Sequence, residues 1–209
     1  MYLPEHFRET RPEVLHEFMQ SHPLVTLVSW SEAGPEANHI PLLFSAGSGK
    51  VILRGHLSRA NPQLEQIRQN PKVLAIFTGP EHYITPNWYP SKREHGRTVP
   101  TWNFTAVHAY GTVRVIDDTD WLLAHVSEMT NRQEARFEEP WKVSDAPESF
   151  VQGLLKAIAG LEISIDRLEG KWKVSQNRPA TDRESVITEL ESLGTSDAAA
   201  MAALVRERN

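Results

Sequence analysis

The residues best suited to chemistry stand in one short stretch, residues 54–62, with the sequence RGHLSRANP. An apolar run at residues 51–53 precedes it and predicts a buried strand. The pattern after it predicts a short helix over residues 61–70. We therefore expect a strand, a tight turn and the start of a helix.

This turn combines the groups that hold a phosphate. Ser58 or Asn61 can cap the predicted helix, and Pro62 suits its first turn. A hydroxyl, the Arg59 guanidinium and free backbone N–H groups would then meet at the positive end of a helix dipole. The alternative interpretation is an ordinary capped helix with a surface arginine.

Other catalytic and metal-binding patterns are missing from the sequence. Five histidines could bind a metal by residue type, but their spacing gives no metal-ligand signature: His56, His82, His95, His108 and His125. No Ser-His-Asp order, paired carboxylates, Walker loop or dinucleotide fingerprint occurs. The sequence assigns no catalytic residue and leaves open whether the protein is an enzyme, so any chemistry must come from a cofactor.

Composition narrows the classes of protein. The chain has 209 residues, a net charge of −5 and no cysteine, which excludes disulfides and thiolate metal sites. It has no apolar run of about 18 residues and no signal-peptide pattern, so we expect a cytoplasmic protein without a membrane span. The negative charge and the lack of a basic stripe do not favour DNA as a partner.

Hydrophobic periodicity predicts the elements that position the turn. The expected strands cover residues 23–30, 37–44, 51–57, 72–79, 102–116 and 161–168, with a turn at 46–50. The expected helices cover residues 13–19, 61–70, 121–136 and 144–155, followed by two short helices from residue 181. Residues 86–100 form a long polar loop. Short turns make the strands antiparallel neighbours, and about six such strands favour a small barrel, since closure removes exposed edges.

Five segments carry a resemblance to a known family. They are NHIPL at 38–42, GH at 55–56 with RANP at 59–62, WYPSK at 88–92, VPTWNF at 99–104 with VH at 107–108, and GKWKVSQNR at 170–178. With these segments in order over residues 1 to about 183, the chain resembles the PaiB-type FMN-binding family. That family is a branch of the split β-barrel flavoproteins related to pyridoxamine-phosphate oxidase.

The resemblance implies a fold and an assembly. It implies a mostly β, α+β protein, with an FMN-binding split β-barrel over residues 1–180 and a helical tail over residues 181–209 packed on the domain or the partner subunit. It also implies a homodimer with FMN at the subunit interface.

The resemblance further implies the residues that bind the flavin. Backbone groups of one strand would follow the ring, the turn at 58–61 would hold the phosphate, and late residues would reach across the dimer. The predicted cofactor-binding residues are Asn38, His39, Ile40, Pro41, Leu42, His56, Ser58, Arg59, Asn61, Trp102, Lys173 and Gln176, with no metal ligand. The alternatives are a half-exposed strand residue for His39, a hydrophobic cluster around Trp102 and a charged strand end at 170–178.

Three functions follow from the resemblance. The first is a negative transcriptional regulator that acts through bound flavin or indirectly. The second is a flavin-dependent oxidoreductase, such as an NAD(P)H:flavin reductase or an oxidase. The third is a haem-binding protein of the same fold, with His95 or His108 as the axial ligand.

Overall fold

The computed structural model describes residues 1–47 and 50–208 as an α+β fold. Its strands are β1 (Arg8–Glu9), β2 (Leu24–Ser31), β3 (Gly34–Pro41), β4 (Leu43–Gly47), β5 (Lys50–Ser58), β6 (Lys72–Ile84), β7 (Thr101–Ile116) and β8 (Ile158–Lys173). Its helices are α1 (Pro12–Ser21), α2 (Gln63–Gln69), α3 (Ser91–His95), α4 (Thr119–Glu134), α5 (Glu148–Lys156), α6 (Ala180–Ser192) and α7 (Ser196–Glu207).

The strands form one sheet with the order β3-β2-β6-β7-β8-β5-β4, and β1 pairs with β8. The pairs β1–β8, β2–β3, β2–β6, β4–β5 and β5–β8 are antiparallel, as the short turns predict. Residues 52–58 of β5 pair with residues 158–164 of β8, so that His56 lies opposite Gly160. The predicted mostly β fold with flanking helices is confirmed.

Several predicted boundaries are wrong. The strand expected over residues 37–44 is two strands, because the chain leaves β3 at Leu42, whose amide donates to the Pro23 carbonyl at 2.8 Å. Strand β8 extends beyond the predicted residue 168, and β1 pairs with that extension at Gly170. The polar loop at 86–100 contains α3. Two residues of the turn expected at 46–50, Ser48 and Gly49, lie outside the described residues.

The chain divides into two compact units. Unit 1 comprises Met1–Phe18, Thr78–His108 and the segment from Glu169 onward, and unit 2 comprises Met19–Phe77 and Ala109–Leu168. The core of unit 2 includes side chains that are fully shielded from solvent, namely Leu27, Leu53, Phe77, Leu161 and Ile163. The core of unit 1 includes Ile84, Tyr89, Val174, Leu190 and Met201.

Polar contacts hold the C-terminal helices within unit 1. Buried Asp182 on α6 accepts hydrogen bonds from the Ser91 hydroxyl at 2.7 Å and from its amide at 3.1 Å. Arg208 pairs with Glu9, which is also buried. Burial alone would raise the pKa of Glu9, but hydrogen bonds from Arg11 and Arg208 outweigh it and lower the pKa to about 2.

In the described parts of the chain, every helix is too short or too polar to cross a membrane.

Candidate functional site

The end of β3 and the middle of β5 approach each other at a glycine in unit 2. A Cβ atom built on Gly55 would lie 2.5 Å from Leu42 Cδ2 and 3.2 Å from the Pro41 carbonyl oxygen. Only glycine therefore fits at this position without displacing the neighbouring chain. Ile40 and Leu42 are buried, so at these two positions a ligand would contact chiefly the backbone. The structure thus brings the predicted strand residues beside the segment that leads to the turn.

Gln63 connects the start of this segment to α2. Its side chain is fully buried and donates to the carbonyl oxygens of Leu27 at 2.9 Å and Glu36 at 3.2 Å. Its oxygen accepts a hydrogen bond from Asn38 Nδ2 at 3.1 Å. His39 is exposed and lies 3.1 Å from the Thr26 hydroxyl. Asn38 is therefore held as part of a hydrogen-bond network that positions β3.

The turn after β5 differs from the expected phosphate cradle. The amide of Arg59 donates to Ala157 at 2.9 Å, and the amide of Asn61 donates to the Ser58 carbonyl at 3.0 Å. Ser58 Oγ accepts from the Ala60 amide at 3.2 Å, and Asn61 Oδ1 accepts from the Gln63 amide at 2.9 Å. The expectation of free backbone N–H groups at this turn is therefore wrong. Helix α2 begins at Gln63 and has only seven residues, which leaves little dipole to attract an anion.

The side chains of this turn nevertheless carry excess positive charge. Arg59 Nη1 lies 2.5 Å from one oxygen of Asp117, and Arg68 Nη2 lies 3.7 Å from the other. Arg59 Nε also donates to the Lys156 carbonyl at 3.2 Å. Two guanidinium groups share one carboxylate, so the cluster of Arg59, Arg68 and Asp117 has a net charge of +1. Because the Arg59 side chain is 37% exposed, an anion can reach it from solvent.

Two histidines form a pair, in which half-buried His56, three residues before Arg59, contacts fully buried His125. His56 Nδ1 lies 3.2 Å from His125 Nε2, and the His125 ring stacks on Trp121 with ring centroids 5.1 Å apart. Burial lowers the pKa of His56. Burial, with smaller effects from His56 and Arg54, lowers the pKa of His125 to about 4. Both rings are therefore neutral at pH 7.

A cavity of about 380 Å³ lies beside this pair. Its lining includes His56 and Ser58 together with side chains from α4, α5 and the segment that joins them, such as Val126, Trp141 and Phe150. The volume is within the usual range for a small-molecule pocket.

The remaining predicted residues lie together in unit 1. Lys173 Nζ donates to the Trp102 carbonyl at 2.6 Å and also contacts the Thr101 hydroxyl. Burial, with smaller effects from Lys171 and Arg178, lowers the pKa of Lys173. Trp102 is exposed and its ring packs edge-on against Tyr83. Gln176 bonds the backbone on both sides of Lys173, accepting from Val174 and donating to Trp172.

Sequence reasoning missed the partners that position these groups. His125 is among the histidines that the sequence offers only as metal ligands, and Arg68 and Gln63 are not among the sequence candidates. The stacked Trp121 and His125 are four residues apart, so helical spacing already places them on one face of α4. Gln63 and Arg68 leave no comparable local signal, because their partners are distant in sequence.

The described residues contain no group of three or more His, Asp or Glu side chains that could hold a metal ion. Of the two histidines considered for haem, His95 is exposed at the end of α3, where its Nδ1 accepts from the Arg97 amide at 3.0 Å. His108 lies on β7, where burial lowers its pKa. Nothing in this placement tests the haem hypothesis, which stays a prediction.

Comparison with known proteins identifies the family. Residues 1–167 match the family model described as "Putative FMN-binding domain". The chain is 32% identical over 208 residues to the protease synthase and sporulation protein PAI 2 of Bacillus subtilis, covering 100% of this chain and 98% of that protein. It is 35% identical over 244 residues to the uncharacterized protein AN0679 of Emericella nidulans, covering 100% and 97%.

A solved structure of low sequence identity supports the fold. The FAD and heme binding protein of Mycobacterium smegmatis aligns with a TM-score of 0.58 and 19% identity, covering 79% of this chain and 73% of that one. At this identity the likeness shows the fold alone. The family match and the whole-length relatives show that the chain belongs to the PaiB-type family of FMN-binding split β-barrel proteins and that its cofactor is FMN.

Proposed function

We propose that this protein is a cytoplasmic homodimer that represses transcription through its bound FMN and does not recognise DNA directly. The observation that carries the flavin site is the cluster of Arg59, Arg68 and Asp117, where two guanidinium groups share one carboxylate. A flavin phosphate would supply the missing negative charge, and guanidinium–phosphate hydrogen bonds are among the strong ones.

The residues around this cluster fit FMN. The Ser58 hydroxyl and the Asn61 Nδ2 are further donors for the phosphate, because only the oxygens of these side chains are used within the turn. Strand β3 stands at one end of the strand order, so backbone groups that face away from β2 can bond the polar edge of a flavin. We assign residues 38–42 to that role. FMN, when bound, supplies the capacity to accept and donate a hydride.

In the proposed homodimer, residues of the second protomer would complete the flavin site. We assign Trp102, Lys173 and Gln176 of one protomer to the flavin of the other, as the family resemblance implies. The exposed Trp102–Tyr83 ring pair supports this, since exposed aromatic clusters are typical of interfaces. We propose that residues 181–209 are a helical tail of the 1–180 domain. Two residues of this tail support the assignment: Asp182 bonds Ser91, and Arg208 pairs with Glu9.

The regulatory role is supported by whole-length similarity to PAI 2, whose name refers to protease synthesis and sporulation. A net charge of −5 is unfavourable for direct binding to DNA. We therefore infer that occupancy or redox state of the flavin, and not a DNA-reading surface, controls the effect on transcription.

The test compares transcripts in the source organism after deletion of the gene and complementation. Wild-type protein should restore repression, whereas Arg59→Ala, which weakens FMN binding, should resemble the deletion. Arg114→Ala is the matched control, since Arg114 pairs with Glu162 and is exposed. Full repression by Arg59→Ala with no bound FMN would refute the flavin-dependent role. Salt-sensitive, operator-selective binding in a gel shift would refute the indirect one.

A second function is favoured by the histidine pair. A neutral imidazole beside a cavity can hold or move a proton, which is what a flavin oxidoreductase requires of its protein. Anaerobic addition of NADH or NADPH to the FMN-loaded protein tests this. Rapid, stoichiometric bleaching of the flavin absorbance supports an oxidoreductase, and an unchanged spectrum argues against it.

A further inference from the structure

The cavity beside the histidine pair has an unusual lining for a protein that binds a phosphorylated cofactor. It contains no Asp, Glu, Lys or Arg side chain, and its walls are mainly apolar. The residues that matter most here are His56, Val126, Thr130, Trp141, Phe150 and Leu154. Trp141, Phe150 and Leu154 are about half exposed, so the cavity is open to solvent on their side. Its apolar walls still offer no partner to a charged group, which would lose part of its hydration there, so the cavity disfavours an anion or a cation.

One end of this cavity carries the ring of His56. Its Nδ1 is bonded to His125 Nε2 at 3.2 Å, which leaves Nε2 as the ring nitrogen that a ligand can use. His125 is 1% exposed, and its Nδ1 is buried with no hydrogen-bond partner. Because both rings are neutral, a single proton lies in the contact between them.

Two arrangements of this proton are possible, and they differ in cost. If His56 Nδ1 donated to His125 Nε2, the buried Nδ1 of His125 would carry an N–H without an acceptor. If His125 Nε2 donates to His56 Nδ1, then His125 Nδ1 carries no hydrogen and is only an unsatisfied acceptor. The single N–H of neutral His56 then lies on its Nε2. Orphaned buried N–H groups are rarer than unsatisfied acceptors, so the second arrangement is favoured. His56 then presents an N–H donor to the cavity.

We propose that this cavity binds an uncharged aromatic carbonyl compound, whose oxygen accepts a hydrogen bond from His56 Nε2 while the ring packs against Trp141 and Phe150. His125 is a positioning residue that fixes the tautomer of His56. The site is a second ligand site on unit 2. It is distinct from the segment assigned to the flavin ring and meets the proposed phosphate site at Ser58, which also lines the cavity.

The alternation of β5 supports this separation. Gly55 faces Pro41 and Leu42, which belong to the strand assigned to the flavin. Successive residues of a strand point to opposite faces, so the side chain of His56 points away from that segment, toward α4. We therefore assign His56 to the second ligand and not to FMN, although the family resemblance groups it with the flavin residues.

Equilibrium dialysis at pH 8 with three related probes tests the chemistry. The probes are 2-acetonaphthone, which is uncharged with a carbonyl; 2-ethylnaphthalene, which lacks the acceptor; and 2-naphthoate, which is anionic. We expect saturable binding of 2-acetonaphthone, binding of 2-ethylnaphthalene weaker by about tenfold for the lost hydrogen bond, and none of 2-naphthoate. Equal binding of all three would overturn the proposed donor and the neutral lining.

Variants of the full-length chain test the location. His56→Leu should weaken 2-acetonaphthone by about tenfold, and His56→Gln should restore most of the affinity because its amide can donate. Ala146→Phe should abolish binding by filling the cavity, which Ala146 lines. His6→Gln is the control, since His6 is exposed in unit 1. An affinity for 2-acetonaphthone that is unchanged in both His56→Leu and Ala146→Phe would refute the assignment of the ligand to this cavity.

The same titrations with and without saturating FMN distinguish this inference from the proposed function. Equal affinity in both conditions supports a separate site. Displacement of 2-acetonaphthone by FMN would show that the cavity holds the flavin ring and would overturn the inference. A chain that binds 2-acetonaphthone through His56 but takes up no FMN would refute the proposed function and leave the inference intact. No binding of 2-acetonaphthone in either condition would refute the inference.

Discussion

The Arg59 turn (residues 58–61) and the histidine pair (His56 and His125) both involve the end of β5, but they differ in how far their polar groups are exposed to solvent. At the Arg59 turn the side-chain contacts are exposed or local, and the amides of Ala60 and Asn61 bond within the turn, whereas the Arg59 amide bonds Ala157. In the histidine pair, His125 is almost fully removed from water, and its Nδ1 has no hydrogen-bond partner. The polar groups of the turn can therefore exchange partners with solvent or a ligand at little cost, whereas the buried His125 cannot.

This difference separates binding from stability. An exposed ion pair such as Arg59–Asp117 contributes about 0–1 kcal/mol to folding. A buried, stacked ring contributes through packing as well as through its hydrogen bond. Substitutions at the turn should therefore change FMN affinity, and loss of the buried His125 ring should change the free energy of unfolding.

The largest effect is expected from His125→Ala. Removing the ring that stacks on Trp121 leaves a cavity in unit 2, so the free energy of unfolding should fall by roughly 2–4 kcal/mol. Urea denaturation followed by circular dichroism measures this. Arg59→Ala, measured in parallel, should lose less than about 1 kcal/mol. Similar losses of unfolding free energy in the two variants would contradict the view that the histidine pair stabilises the fold more than the Arg59 turn does.

Acidification should destabilise the wild-type chain through the same pair. The pKa of His125 is about 4 in the folded chain against 6.5 in the unfolded chain, so the folded chain binds fewer protons in this window. Stability should therefore fall as the pH drops from 6.5 toward 4, by up to roughly 3 kcal/mol.

Urea titrations at pH 7.5 and 4.5 measure this dependence. Between these values Glu9, whose pKa is about 2, contributes little of the change. His125→Gln, which cannot titrate, should show a flatter profile. An identical slope in the variant would place the titrating group elsewhere.

Arg59→Ala should weaken FMN binding by roughly 1.5–3 kcal/mol, the usual worth of a hydrogen bond to a charged group. Quenching of flavin fluorescence on titration gives the dissociation constant. Arg68→Ala should have a smaller effect, because Arg68 lies farther from Asp117, at 3.7 Å. An affinity unchanged in both variants would show that other residues hold the phosphate.

Asn61→Asp gives the smallest expected effect and separates capping from binding. The carboxylate can still accept the Gln63 amide, so stability should change by less than about 0.5 kcal/mol. The added negative charge should lower FMN affinity several-fold if Asn61 faces the phosphate. Loss of stability with unchanged FMN affinity would make Asn61 a cap alone.

Local signals predicted most of the fold. The apolar run of β5, the alternation of β8 and the Asp118 cap of α4, whose side chain accepts from the Trp121 amide, all follow from neighbours in sequence. The break at Leu42 was missed because apolar residues continue on both sides of it. Helix α3 was missed because five polar residues give no period.

The site was predictable only in part, because sequence patterns report neighbouring residues and not contacts between distant segments. Family motifs pointed to Arg59 and to residues 38–42, and the structure brings the end of that segment against Gly55. They could not show that Asp117 joins Arg59 to Arg68 or that His125 meets His56, since these pairs form between distant segments. Composition gives no information about such long-range contacts.

The most direct test of the account is titration of the purified, flavin-free protein with FMN, followed by visible absorbance and performed in parallel on wild type and Arg59→Ala. We predict saturation at one FMN per chain for the wild type and an affinity at least about tenfold weaker for the variant. Equal uptake by the two proteins, or no uptake by either, would contradict the assignment of the flavin phosphate to the Arg59 turn.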